Sequence, residues 1–123
     1  MRALVIDDSK SMRHILGRIL KQVGFEVREA CHGRDALTQL AQHGPVDLAL
    51  VDWNMPEMNG LEFIQTVRAD SAYGAMKVLM VTTEAELTRV EAAIAAGADE
   101  YVMKPFTQEI LQDKLAMIGL ATP

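Results

Sequence analysis

A chain of 123 residues, half of them hydrophobic, is one domain's worth of protein and can bury a sizeable core. Its net charge of −5 is spread over mixed acids and bases with no basic stripe, which argues against nucleic acid as a direct partner. No apolar run approaches the roughly 18–20 residues that span a bilayer, no signal peptide precedes the first strand-like run, and the single cysteine, Cys31, excludes an internal disulfide; the expectation is a soluble cytoplasmic protein without membrane insertion.

In chain order, short apolar runs alternate with helical patterns. "ALVI" (3–6) is the first strand. Met12, Ile15, Leu16, Ile19, Leu20 and Val23 follow at spacings of three and four, one face of a helix that Ser9 or Ser11 caps and Gly24 ends. "EVREA" (26–30) alternates as a strand near a sheet edge does. Ala36, Leu37, Leu40 and Ala41 mark a second helix, stopped by Gly44-Pro45. "LALV" (48–51) is the third strand and "KVLMV" (77–81) the fourth, with a helix over 60–69 between them. Leu87, Val90, Ala93 and Ile94 mark a fourth helix closed by Gly97. "EYVM" (100–103) is the fifth strand, and Ile110, Leu111, Leu115 and Ile118 form the last helix.

Five βα units whose strands are mostly apolar throughout imply an α/β fold: a five-stranded parallel sheet with helices on both faces and right-handed crossovers. Five strands favour the flavodoxin-like order 2-1-3-4-5, in which ligands bind outside the carboxyl ends of the strands, at the switch between strands 1 and 3. Those ends carry the chemistry. Strand 1 runs into Asp7-Asp8, strand 3 into Asp52, strand 4 into Thr82-Thr83, and strand 5 into Lys104-Pro105. Three carboxylates in one crevice repel and call for a cation, and hard oxygen ligands suit Mg²⁺.

"VIDDS", "LVDWNMPEMNG", "VLMVTT" and "YVMKPF" resemble the motifs of response-regulator receiver domains, "DWNMPEMNG" above all those of single-domain, CheY-like chemotaxis regulators. The resemblance covers essentially the whole chain and implies a single receiver domain over 1–123. It implies that Asp52 is the phosphoacceptor of a two-component phosphorelay. By the same resemblance Asp8, Asp52 and the Asn54 backbone carbonyl bind Mg²⁺, with Asp7 acting mainly through water. Thr82 would hydrogen-bond the phosphoryl group and Lys104 pair with it, Pro105 following a cis bond. Tyr101 is implied as a rotamer switch, Lys114 as a partner contact beside it, and Asn54 and Glu84 as residues that tune dephosphorylation. Thr83 stands where chemotaxis regulators often carry a smaller residue. The implied partners are a histidine kinase as phosphodonor, a downstream protein (a flagellar motor switch is one candidate) and a phosphatase. The protein would be a signalling protein rather than an enzyme, catalysing only its own phosphorylation and dephosphorylation.

The physical roles agree with that assignment. A carboxylate can attack phosphorus and form an acyl phosphate. The transfer needs charge neutralisation more than proton chemistry, which a cation and Lys104 supply. Taken singly, the same residues are ordinary. Asp7 or Asp8 could cap a helix, Asp52 could form the turn before Pro56, and Thr82 could simply end a strand. Their combination at four strand ends favours a site. Tyr101 is equally readable as a half-buried strand aromatic, and the methionines read as core filler, with Met55 and Met58 alternatively lining a contact surface. His14, His32 and His43 have no ligand spacing and read as surface residues. Cys31 reads as a small residue at a strand end.

Alternative outputs are a phosphorelay shuttle or phosphate sink, or a receiver excised from a multidomain regulator. An Asp-nucleophile phosphohydrolase belongs to a different class. Such enzymes typically place a second acid two residues after the nucleophile, where this chain has Asn54.

Overall fold

The computed structural model describes residues 1–120, with Glu84 and Ala85 described through their backbone alone. The elements alternate as expected: β1 (Arg2–Ile6), α1 (Lys10–Val23), β2 (Glu26–Ala30), α2 (Gly33–His43), β3 (Leu48–Asp52), α3 (Gly60–Arg68), β4 (Lys77–Thr82), α4 (Val90–Ala96), β5 (Glu100–Met103) and α5 (Gln108–Met117). The sheet is parallel throughout, in the order β2-β1-β3-β4-β5.

The strand pattern explains the layering. β3 is buried at every position because it lies at the centre of the sheet with helices on both faces. Ala3, Val5, Leu48, Leu50, Leu79, Val81 and Val102 point to one side, where Leu16 and Leu20 of α1 and Leu111 and Leu115 of α5 cover them. Leu4, Ile6, Ala49, Val51, Val78 and Met80 point to the other, against Ala36 and Leu40 of α2, Phe63, Ile64 and Val67 of α3, and Ala93 of α4. β2 is the edge expected from its alternation, and only Ala30 in it is fully buried.

Local chemistry sets the helix ends. Ser9, not Ser11, caps α1 by accepting from the Met12 N–H. Gly24 closes it in a left-handed conformation, φ 113°. His32 is more than a surface residue: its Nδ1 accepts from the Asp35 N–H and caps α2. Asn59 and Glu62 form a reciprocal capping box at α3.

The fourth helix differs from expectation. Leu87 lies in a 3₁₀ stretch, Glu84–Arg89, and α4 proper begins only at Val90. Thr83 and Glu86 bond to each other at the mouth of this stretch, and tight i→i+3 turns are common at such helix entrances. The apolar stripes are also wider than the sheet covers. Ile15, Ile94 and Ile110 sit at their edges and stay exposed, as do Met1, Met103 and Met117, so the methionines are only partly core filler. Met55 and Met58 are half-buried against the α2–α4 side of the core. Cys31 is exposed just past β2 and its thiol faces Asp35.

Candidate functional site

The register of the sheet builds the site. Ile6 pairs with Val51, so the next residues, Asp7 and Asp52, emerge side by side from adjacent strands. Asp52 pairs with Val81, which places Thr82 one step further on β4, and Thr82 pairs with Met103, the residue before Lys104. Parallel pairing thus gathers residues from four chain segments at one end of the sheet.

Carboxylate oxygens of Asp7, Asp8 and Asp52 lie within 4.8 Å of one another. Lys104 Nζ stands 3.3 Å from Asp52 Oδ1 and 3.6 Å from Asp7 Oδ2. The Lys104 N–H donates to the Thr82 carbonyl at 2.7 Å, which ties β5 to the end of β4, and the Lys104–Pro105 bond is cis. Asp7 is held by the Ser9 N–H on its Oδ1, while Arg13 donates to its backbone carbonyl. Asp7 Oδ2 is buried without a hydrogen-bond partner among the described residues. An acceptor of that kind is costly to leave unmet. With two further carboxylates beside it, all hard oxygen donors, the set fits a divalent cation such as Mg²⁺.

Electrostatics reflect the crowding. Burial first, and then the neighbouring Asp7 charge, push the Asp52 carboxyl up to about 6, with Lys104 opposing them. Burial likewise raises Asp7 above the usual carboxylate range. Two buried acids facing each other are a poor resting arrangement and a good receptor for positive charge.

The loop after Asp52 is shaped by two backbone constraints. Glu57 adopts a left-handed φ of 67° between Pro56 and Met58. Gly60 then brings the first turn of α3 back beneath the strand end, its N–H donating to the Trp53 carbonyl. A β-carbon on Gly60 would meet the Asp52 carbonyl oxygen at 2.8 Å. The glycine that closes the loop is therefore set by how closely α3 approaches Asp52.

The remaining expected residues fall around this centre. Thr82 is buried, and its hydroxyl donates to the Thr83 carbonyl. Asn54 is exposed at the loop, with its amide turned to Glu86 and Arg89. Tyr101 is half-buried on the α2–α4 side of the sheet, and Lys114 Nζ lies 4.6 Å from its ring centroid and 3.8 Å from Glu100. The Glu84 side chain lies outside the described residues. Glu86, Arg89 and Arg13 are site neighbours that the sequence analysis does not name. For Glu86 a signal exists, a Thr-x-x-Glu capping box at 83–86.

A doubly wound sheet with an acid triad, a threonine and a lysine at its carboxyl end defines a receiver of two-component phosphotransfer. The chain belongs to the response regulator receiver domain family, whose model matches residues 3–116. It is 41% identical over 119 residues to chemotaxis protein CheY1 of Helicobacter pylori, covering 96% of each chain. It is 45% identical over 116 residues to the CheY homolog of Campylobacter jejuni, covering 94% of this chain and 89% of that one. Among solved structures, chemotaxis protein CheY4 of Vibrio cholerae superposes with a TM-score of 0.85 at 36% identity, over 95% of this chain and 97% of that one. Receiver domains bind Mg²⁺ at an acidic cluster and take their phosphoryl group from a histidine kinase, and Asp7, Asp8 and Asp52 form an acidic group in this chain.

Proposed function

We propose that the chain is a single cytoplasmic receiver domain over 1–123 whose Asp52 takes a phosphoryl group from a histidine kinase. The proximity of Lys104 to Asp52 and Asp7 carries this reading, because it leaves one carboxylate oxygen flanked by positive charge at an open strand end. Asp8, Asp52 and the Asn54 carbonyl would hold Mg²⁺, with Asp7 supporting through water. The chemistry such an ion would supply is neutralisation of the acids and of the incoming phosphoryl oxygens. An Asp52 oxygen attacks phosphorus, the phosphorus–nitrogen bond of the donor phosphohistidine breaks, and the imidazole leaves with the electron pair. Lys104 pairs with the transferred group, and Thr82 turns to donate to it. Water later cleaves the acyl phosphate, with Asn54 and Glu84 governing how that water enters.

The output is a change of the face made by α4, β5 and α5, around Tyr101 and Lys114, read by a separate protein. Likeness to chemotaxis proteins of three genera supports a chemotaxis partner, with a flagellar motor switch as the first candidate, and a phosphatase to reset the signal. Among the described residues no helix is long and apolar enough to cross a membrane. The test is incubation with acetyl phosphate and Mg²⁺ followed by intact mass measurement. The protein should gain one hydroxylamine-labile phosphoryl group, and Asp52→Asn should gain none. A gain that persists in Asp52→Asn defeats the assignment.

A further inference from the structure

Asn54 lies two residues after Asp52 in the loop between β3 and α3, and its amide is held by the opposite loop. Its Nδ2 donates to Glu86 Oε2 at 2.6 Å, and Arg89 approaches its Oδ1 at 3.5 Å. Glu86 is only 7% exposed, and its other oxygen, Oε1, accepts from the Thr83 N–H and hydroxyl, each at 3.0 Å. Arg89 also lies over the Trp53 ring, 5.5 Å from its centroid. Glu86 and Arg89 are three residues apart in a 3₁₀ stretch, so their side chains eclipse on one edge. That edge faces Trp53 and Asn54.

A buried carboxylate is expensive unless donors surround it. Here three donors meet Glu86, and bonds to an ionised acceptor are shorter and stronger than neutral ones. An amide engaged at Nδ2 by an acid and approached at Oδ1 by a guanidinium has one orientation. Thr83, the other partner of Glu86, is the residue after Thr82.

We propose that Glu86 is a positioning residue for phosphoryl loss, fixing the orientation of the Asn54 amide beside Asp52 and tying it to the Thr83 backbone. Displacement of Thr82 and Thr83 toward a phosphoryl group then moves the acceptor that holds Asn54. The lifetime of the acyl phosphate and the position of the β4–α4 loop become linked through one carboxylate. This rests on the proposed role of Asn54 in hydrolysis, and the test separates the two.

Decay of phosphorylated protein is followed after removal of acetyl phosphate, for the parent, Asn54→Ala, Glu86→Ala, Glu86→Gln and the Asn54→Ala/Glu86→Ala double variant. Glu86→Gln keeps the volume and one acceptor oxygen, and so remains measurable if Glu86→Ala does not fold. Thermal melting is recorded for each, and the Asn54 side-chain amide resonance in ¹⁵N NMR for the parent, Glu86→Ala and Glu86→Gln. Asn54→Ala and Glu86→Ala are each expected to slow decay about fivefold, Glu86→Gln less, and the double variant no more than Asn54→Ala alone. The Asn54 amide resonance should move in Glu86→Gln even where the melting temperature does not. If Asn54→Ala slows decay and the Glu86 variants keep the parent rate, the positioning role is wrong while the Asn54 role stands. If the Glu86 variants slow decay and Asn54→Ala does not, Glu86 acts by another route and the proposal fails. Additive effects in the double variant overturn it too. If no variant changes the rate, Asn54 is not a hydrolysis residue and the proposal falls with it.

Discussion

Lys104 Nζ lies 3.3 Å from one oxygen of Asp52, close enough to pair with it and too far for a tight bond. The ammonium also faces Asp7 at 3.6 Å, so one cation serves two buried acids. Any metal entering this crevice meets that cation as a repulsive neighbour. Lys104→Met should therefore tighten Mg²⁺ binding, by up to about tenfold, since one nearby charge is removed from a partly desolvated site. It should at the same time slow phosphorylation, because the transferred group loses its partner. Titration of Trp53 fluorescence with Mg²⁺ measures the first and acetyl phosphate turnover the second. Weaker Mg²⁺ binding in the variant would mean that Lys104 organises the acids instead of competing for them.

The Asp52 carboxyl supplies a pH test. Its folded value is raised from 3.8 to about 6, by burial first and by Asp7 second. Between those values the folded state binds more protons than the unfolded one, so stability falls as pH rises through the window, and the loss is complete above about 6. Asp7, shifted in the same direction, adds the same sign. Without metal, Asp52→Asn should be more stable than the parent at neutral pH by about 1 kcal/mol, a figure discounted for water at the open strand end. Acidifying toward about pH 4, or adding Mg²⁺, should close the gap. Urea melts in chelator at several pH values decide it, and a gap that widens on acidification has the wrong sign.

Gly60 and Gly33 make a controlled pair. A β-carbon on Gly60 would sit 2.8 Å from the Asp52 carbonyl oxygen and 3.1 Å from the Trp53 Cα, both backbone atoms that cannot step aside. On Gly33 it would sit 2.8 Å from the Met58 sulfur, the far part of a flexible side chain. Gly60→Ala should cost about 1–3 kcal/mol and disturb phosphorylation as Asp52 shifts. Gly33→Ala should cost clearly less and leave phosphorylation intact. Melting curves with acetyl phosphate assays compare them, and equal behaviour of the two variants would mean that α3 can retreat from Asp52.

Much of this architecture is legible in the amino-acid sequence. Period-two and period-3.6 patterns locate the strands and helices, and parallel order alone brings Asp7, Asp8, Asp52, Thr82 and Lys104 to one end. Contacts between loops leave no such pattern. Thr-x-x-Glu marks Glu86 as half of a local capping box, but nothing in the chain marks that Asn54, 32 residues earlier, will supply it a further donor. Leu87 fits a helical stripe, yet it lies in a tighter turn whose entrance carries the bonds between Thr83 and Glu86. Gly60 looks like an ordinary turn residue, and its real constraint, the Asp52 carbonyl behind it, comes from a strand end eight residues back.

The strand register supports a route by which Asp52 reaches the partner face. Tyr101 pairs with Met80, and Thr82 lies two residues beyond Met80 on the same face of the sheet. Side chains diagonal across paired strands lie within reach of each other. The Thr82 hydroxyl now donates to the Thr83 carbonyl, a local bond that a phosphoryl oxygen can outcompete because its charge makes the stronger acceptor. If the Thr82 side chain turns toward Asp52, room opens beside Tyr101. Tyr101 is half-buried, with Lys114 Nζ 4.6 Å from its ring, a partly exposed contact worth about 0.5–1 kcal/mol, weak enough to be lost when the ring turns inward. Beryllofluoride should therefore move the Tyr101 signal in ¹⁹F-tyrosine NMR, with Tyr73, the only other tyrosine, as internal reference. In Thr82→Ala the analogue should still bind and the Tyr101 signal should stay where it was. In Lys114→Ala the inward signal should grow before any analogue is added. A Tyr101 shift that survives Thr82→Ala unchanged would show that the phosphoryl group reaches this face without Thr82.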